Sequence, residues 1–331
     1  MENFPEIGNL NIVVEMIFGS HLYGTNTENS DKDYKGVYLP SKKDILLNQI
    51  PKSLSFTTKS GCDNKNTCDD IDIEFYSLHY FIELACQGQT VAIDMLHAPQ
   101  NCLLKTSGIW NKIVENRSKF YTRNLEAFVG YARTQAAKYG LKGSRLSDAK
   151  RVLDFLIEFD IFSKTIGNME ARLRDIWNDL PTGEHIHFLD PNPKSGLREY
   201  QICGRKFQET AKVSYVIPGI KKFYDEYGKR AKLAEANFGI DWKAVSHAIR
   251  AAYQIKSILM EGKIIFPLKE SEFLKKVKNG DLHYIKEVSP ILENLMEEIE
   301  ELSKNSSLPE KVNRDFWNNF LIDVLENEYF K

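Results

Sequence analysis

No apolar run in the sequence approaches the roughly 20 residues needed to span a bilayer, so no membrane partner is expected. The opening residues, MENFPEIGNLNIVV, lack the basic start and long apolar stretch of a secretory signal,. Cysteine is scarce and badly placed for bridging. Cys62, Cys68, Cys86, Cys102 and Cys203 are odd in number and scattered, which makes a poor disulfide framework. Cys62 and Cys68 share one polar loop, but no second Cys or His pair nearby completes a zinc set,. The cytoplasm, a reducing compartment, is the expected location. An excess of charge of either sign is also missing. The 44 Lys and Arg against 46 Asp and Glu leave a formal net charge of −2. Global charge therefore gives no argument for a nucleic-acid partner, although a local basic surface stays compatible with one. Repeats and low-complexity tracts are absent, which excludes solenoids and disordered linkers of that kind,.

What is present suits a globular protein: 42% hydrophobic and 27% charged residues,. The 331 residues exceed what one core usually serves, so two regions are expected,. Residues 10–18, LNIVVEMIF, read as a buried strand running into a turn at Gly19,. A polar stretch with Gly24, Asn26, Asn29 and Ser30 follows,. DYKGVYLP and PKSLSFTT read as strands, with SKKDILLN between them as a short helix capped by Ser41,. IDIEFYSL alternates apolar and acidic residues with period two, the mark of a strand with one polar face,. LHYFIELACQG is an amphipathic helix stopping at Gly88, and TVAIDMLHAP a helix or turn ending at Pro99.

From about residue 108 helical periodicities dominate, in IWNKIVENRSKF, NLEAFVGYARTQAAKYG, RLSDAKRVLDFLIEFDIFSKTI and MEARLRDIWNDL. Pro181, Pro191, Pro193 and Gly196 interrupt them, and HIHFL, REYQICG and KVSYVIP read as strands,. Helices resume at GIKKFYDEYGKRAKLAEA and continue through DWKAVSHAIRAAYQIKSILMEG to the end. The expected class is α+β. A small mixed-sheet domain over 1–107 precedes a mainly helical region over 108–331, with a β insertion at about 181–217.

The chemistry concentrates in one segment. Phe18-Gly19-Ser20 is followed by ten residues of polar loop and then by Asp31-Lys32-Asp33. Asp31 and Asp33, at i and i+2 of a strand start, place both carboxylates on one face. Alone, such a pair usually marks a solvated strand end. Two anions this close repel, and a divalent cation is the usual reason to keep both ionised. Mg²⁺ (with Mn²⁺ as the alternative) takes a few carboxylate oxygens and leaves positions for water and phosphate. Two such ions can clamp an in-line phosphoryl displacement. Upstream, a strand–Gly–Ser turn offers backbone N–H groups and a hydroxyl to phosphate oxygens. A third carboxylate is expected from a neighbouring strand, where IDIEFYSL offers Asp72 and Glu74 on one face.

The segment FGSHLYGTNTENSDKDYKGV resembles the signature of the DNA polymerase beta superfamily: an apolar residue, Gly-Ser, about ten residues, then Asp-x-Asp. SDKDYKGVYLPSKKDILL, IDIEFYSLHYF, DMLHAP, AAKYGLKGSRL, CGRKF and DWKAVSHAIR together resemble a bacterial and phage nucleotidyltransferase family. That family is related to the RNA-ligase-associated nucleotidyltransferases of RNA repair, and the resemblance spans nearly the whole chain. It implies a small mixed sheet with flanking helices, and a helical C-terminal region closing a nucleotide cleft. It implies that Gly19 and Ser20 contact the triphosphate, that Asp31 and Asp33 bind the metals, and that Asp72 is the third carboxylate. Glu74 stays open as an alternative metal ligand. Lys32 departs from the apolar residue usual between the two acids. It is expected to point to the opposite face, at an edge.

Further cations are candidates for the nucleotide. Lys138, Lys142 and Arg145 surround two glycines in KYGLKGSRL, where a helix C-terminus explains them equally well,. Lys243, His247 and Arg250 form one face of a helix at i, i+4 and i+7, a pattern also common on solvated faces,. His21 follows Ser20 and either meets nucleotide or caps the turn. His185 and His187 lack a third ligand and read as a strand face. Cys203-Gly204 reads as a hairpin turn. The expected partner is an NTP, with RNA or tRNA as acceptor. The activity expected is Mg-dependent transfer of a nucleoside monophosphate to an acceptor hydroxyl, an RNA 3′ end first. Nucleotidylation (AMPylation) of a protein or small molecule, and a non-catalytic nucleotide- or RNA-binding module, are the alternatives. The full set of carboxylates speaks against lost turnover. A nuclease or phosphatase using the same acids is disfavoured by Gly19-Ser20 ahead of them. Oligomeric state is not legible.

Overall fold

The computed structural model describes residues 5–58, 70–123 and 143–330, the side chains at 5–6, 143–145 and 227–235 excepted. The chain packs as two compact units. The first comprises the described residues up to 123 together with 241–282 and 290–330, and the second comprises 143–240 and 283–289. In this division the helices beyond 241 share a unit with the described residues up to 123.

Strand β1 (Asn11–Ile17) runs into a one-turn helix α1 (Gly19–Tyr23), and β2 (Lys32–Leu39) returns antiparallel to β1. Helix α2 (Lys42–Leu46) begins at Ser41, whose Oγ accepts from the Asp44 N–H, as its N-cap sequence predicts,. Strand β3 (Ser53–Thr57) pairs antiparallel with β4 (Ile71–Ser77), and β4 pairs parallel with β2. Helices α3 (Leu78–Cys86) and α4 (Thr90–Met95), the short β5 (Leu103–Thr106) and α5 (Gly108–Glu115) follow. The sheet order is β3-β4-β2-β1-β5, a mixed sheet with β2 at its centre. Lys32 is therefore not on an edge strand; it is the exposed first residue of the central one.

Period-two alternation decides what each face carries. Tyr38 of β2 and Ile73 and Phe75 of β4 are buried with Ile7, and Leu54 and Phe56 of β3 pack against them. Fully burying such side chains contributes roughly 1.5–3 kcal/mol each. Asp33, Lys35, Asp72 and Glu74 alternate with that set and so share the opposite face. The β2–β4 register sets Asp33 beside Asp72 and Lys35 beside Glu74.

In the second unit α6 (Gly143–Thr165), strands β6 (Ile186–Leu189), β7 (Glu199–Ile202) and β8 (Arg205–Gln208), and α7 (Val213–Glu235) enclose their own core. The β7–β8 hairpin turns at Cys203 and Gly204, both at positive φ, as the hairpin expectation requires,. KVSYVIP, predicted as a strand, instead opens α7. Val213, Val216 and Ile220 are fully buried at helical spacing, which outweighs their β-branched character,. MEARLRDIWNDL forms only short 3₁₀ turns over Leu173–Asp179, with Ile176 leaving helical dihedrals. The chain then returns to the first unit through α8 (Trp242–Glu261), α9 (Ser271–Asn279), α10 (Ser289–Asn305) and α11 (Arg314–Tyr329). Helix α8 is capped by Asp241 and closed by Gly262, the boundaries its sequence predicts,. No described helix is long and apolar enough to cross a membrane.

Candidate active site

The carboxylates come from the ends of two neighbouring strands. The Lys32 N–H donates to the Asp70 carbonyl at 3.0 Å, which aligns the starts of β2 and β4. Oxygens of Asp31, Asp33 and Asp72 then lie within 4.8 Å of one another, all half-buried. Among the described residues this is the one group of three or more acids, histidines or cysteines so arranged. Burial raises the Asp33 pKa above the ordinary carboxylate value. The nearby Asp31 and Asp72 push it the same way, while Lys35 and Lys243 oppose them. Three hard oxygen donors that repel one another fit a divalent cation,.

Glu74 is not brought to this cluster. It accepts hydrogen bonds from Lys35 Nζ and from Tyr76 Oη, the latter at 2.6 Å. Burial works to raise its pKa, but Lys35 and Tyr76 prevail and hold it below the usual value. The register that puts Asp72 beside Asp33 puts Glu74 beside Lys35, so Glu74 neutralises a lysine instead.

Gly19 stands directly against the triad. Its φ is +60°, and a Cβ built there would lie 1.9 Å from Asp33 Oδ2. The Phe18 N–H donates to the Asp33 carbonyl at 2.8 Å, which ties the end of β1 to the same residue. Ser20 Oγ is buried with no hydrogen-bond partner among the described residues, and so is His21 Nε2. A cavity of about 390 Å³ opens over these groups. Gly19, Ser20, Asp31, Asp33 and Asp72 line it from the sheet, and Lys243, His247 and Arg250 line it from α8. Every lining residue belongs to the first unit.

The face predicted for α8 therefore does border the cavity, but its three members differ. Lys243 is exposed and close enough to Asp33 to favour its charged form. Burial lowers the His247 pKa to about 4, helped by Arg250, Lys243 and Lys278, so its imidazole is neutral at physiological pH. Arg250 is engaged, ion-paired with buried Asp94 at 3.3 Å. His21 is not part of the cavity lining described. Lys138, Lys142 and the Arg145 side chain lie outside the described residues, as do Cys62 and Cys68. His187 contacts Gln201 on the β6–β7 pair, consistent with a strand face. The lining also contains Tyr23, Lys35 and Lys278, which sequence patterns did not single out. Lys278 had only the signal of a basic last turn on α9.

A strand–Gly–Ser turn packed against three carboxylates on adjacent strands, with cations across the same cavity, defines a nucleotidyltransferase. Comparison with known proteins agrees. Residues 1–156 match a family described as the RNA repair pathway DNA polymerase beta family. A protein of Enterobacteria phage T4, called an uncharacterized 38.9 kDa protein of the nrdC-mobD intergenic region, is 40% identical over 336 residues. The match covers 96% of this chain and 99% of that protein. A nucleotidyltransferase-like protein from Exiguobacterium sibiricum 255-15 is 7% identical, with 98% of this chain and 78% of that chain covered at a TM-score of 0.26. So weak a structural likeness carries no argument. The chain belongs to the RNA repair pathway DNA polymerase beta family of nucleotidyltransferases.

Proposed function

We propose that the protein transfers a nucleoside monophosphate from an NTP to the 3′ hydroxyl of an RNA, releasing pyrophosphate, with Mg²⁺ as cofactor and the cytoplasm as its location. The clustering of Asp31, Asp33 and Asp72 beside Gly19-Ser20 in one cavity carries this reading. RNA as the acceptor rests on the family's description as an RNA repair pathway family. The three carboxylates would hold the cation, which when bound neutralises phosphate charge and acidifies a hydroxyl. The remaining chemistry belongs to the chain. Ser20 Oγ, without a partner among the described residues, would donate to a phosphate oxygen. Lys243 and Lys278 supply positive charge to the triphosphate,. His247, neutral, offers a hydrogen bond without further charge. These groups act by positioning and by charge complementarity rather than through covalent chemistry. Lys142, Arg145 and His21 are proposed as additional nucleotide contacts on the family resemblance alone.

The test is incubation with each α-labelled NTP, Mg²⁺ and a panel of RNA, tRNA and protein acceptors. Label should appear on RNA and disappear when the RNA ends in a 3′-deoxynucleotide. Label on protein alone would overturn the RNA acceptor, and no pyrophosphate release with any acceptor would overturn the reaction.

Two variants separate the strand β4 acids. Asp72→Asn should lower kcat about a hundredfold with a smaller effect on NTP binding, the scale of removing one electrostatic interaction made in the transition state. Glu74→Gln should change kcat by less than about threefold, since the amide keeps an oxygen to accept from Lys35 and Tyr76 and Glu74 stands outside the carboxylate cluster,. The opposite ranking in steady-state kinetics would return the metal role to Glu74.

Lys243→Ala tests the α8 wall. A charge-assisted phosphate contact is worth about 1.5–3 kcal/mol, so the NTP KM should rise about tenfold, the low end because Lys243 is exposed,. Added salt should weaken the parent more than the variant, because screening acts on the charge removed. A KM equal to the parent's at low salt would reduce Lys243 to a solvated side chain.

A further inference from the structure

Three segments far apart in the sequence, FGSHLYG, DMLHAP and the helix that begins with DWKAVSHAIR, meet at one buried carboxylate. Asp94, on α4, is completely buried. Its Oδ2 accepts from Tyr23 Oη at 2.9 Å and from Arg250 Nη1 at 3.3 Å. Its Oδ1 accepts from Gln254 Nε2 at 2.9 Å. The Arg250 guanidinium carbon also lies 3.7 Å from the centre of the Tyr23 ring. One carboxylate thus holds the guanidinium through Nη1 while an aromatic face supports it,. Tyr23 is itself held by Phe18 and Phe266, each with ring centres 5.8 Å away. Tyr23 and Arg250 line the cavity that contains the triad, whereas Asp94 does not.

We propose that Asp94 is a positioning residue, which holds Arg250 and Tyr23 in the orientation that grips the triphosphate of a bound NTP. The proposal rests on the nucleotidyl-transfer reading of the cavity. A wholly buried carboxylate is costly in a fold. Burial lifts the Asp94 pKa to about 6 even against Arg250, Tyr23 and Gln254. An apolar side chain would fill the space at lower cost but could not orient a guanidinium. Two effects compete at Arg250. Asp94 restricts a long side chain to one rotamer, which favours phosphate binding by preorganisation. It also neutralises part of the arginine's charge, which opposes it. Because Asp94 also holds Tyr23, the ring on which Arg250 rests, its loss releases both supports at once, and orientation outweighs the lost charge.

The test is a double-mutant cycle on the full chain, read as the NTP KM, kcat and the Kd of a non-hydrolysable NTP with Mg²⁺. Asp94→Asn should raise KM and Kd about tenfold and leave kcat within about twofold, the size of one charge-assisted hydrogen bond to the bound nucleotide. Arg250→Gln should do the same, and Asp94→Asn added to it should raise Kd no further. An unchanged Kd in Asp94→Asn, a tighter one from a released arginine, or additive losses in the double variant would each overturn the proposal. A purely structural role would lower the unfolding temperature without this split between KM and kcat. If Asp94→Asn does not fold, Gln254→Met loosens the same carboxylate from its other oxygen. It should raise Kd about threefold in the parent and not at all beside Arg250→Gln, the signature of coupling through one residue; equal effects in both backgrounds would overturn the proposal. A parent protein that binds no NTP would defeat the underlying reading, whereas a parent that binds and variants that match it would defeat this inference alone.

Discussion

Asp33→Asn will lower kcat for nucleotidyl transfer by about a thousandfold, a loss of about 4 kcal/mol of transition-state stabilisation, while the chain stays folded. Asp33 is the central member of the triad. Asp31 precedes it on the same strand start and Asp72 registers beside it, so its carboxylate feels both neighbours. Asparagine keeps the shape and one acceptor oxygen but removes the charge. A second readout checks that the loss is electrostatic. The Asp33 pKa stands above its unfolded value, so the proton is held more tightly in the native state. The associated stability is fully present below the unfolded pKa and is lost as pH rises through the raised one. At neutral pH the ionised group is therefore a cost to the metal-free fold. The metal-free variant should unfold at a higher temperature than the parent, and added Mg²⁺ should stabilise the parent but not the variant. Parent-like turnover in Asp33→Asn, or equal Mg²⁺ stabilisation of both proteins, would remove Asp33 from the metal site.

The acidic pair was legible because strand side chains repeat every two residues. The spacing of Asp31 and Asp33 needs no tertiary information to predict a shared face. The same rule leaves Asp72 and Glu74 equivalent, since both sit on one face of β4. What separates them is register: β4 lies parallel to β2 so that Asp72 meets Asp33 and Glu74 meets Lys35. No local pattern contains that pairing. The α8 stripe was legible as a face for a similar reason, yet only packing shows that Arg250 reaches Asp94 while Lys243 stays exposed. Lys278 and Tyr23 reach the cavity lining through long-range folding, and neither stands out in its own segment.

Fold errors have the same origin. KVSYVIP carries β-branched residues and a proline, both local signals against a helix. Burial of Val213, Val216 and Ile220 against α6 and the β6–β8 sheet decides otherwise. Strands β5 (LLKT) and β8 (RKFQ) show no apolar–polar alternation and few β-branched residues to mark them,. The helices after residue 241 read correctly as helices. Their membership of the sheet's unit depends on contacts that no hydrophobic pattern specifies.

Gly19→Ala will match Asp33→Asn in its loss of turnover, although it removes no functional group. Two costs fall on the one methyl. The φ of +60° at Gly19 belongs to the left-handed region, which costs an L-residue roughly 1–2 kcal/mol,. The new Cβ would also stand 1.9 Å from Asp33 Oδ2 and 2.7 Å from its Cγ. Contacts that short do not persist, so either α1 or the carboxylate has to move. The Phe18 N–H bond to the Asp33 carbonyl ties the two backbones together at 2.8 Å and resists their separation. The side chain of Asp33 is the part free to swing, and it swings away from Asp31 and Asp72. A displacement of about 1 Å at a reacting centre already costs about a hundredfold, and removing Asp33 from the cluster should extend that to about a thousandfold. Steady-state kinetics should show the loss in kcat. Thermal unfolding should show lower stability for Gly19→Ala, opposite in sign to Asp33→Asn, together with the same missing response to Mg²⁺. Should Gly19→Ala retain both turnover and Mg²⁺ stabilisation, close packing of glycine against the carboxylate would not be what holds Asp33 in the site.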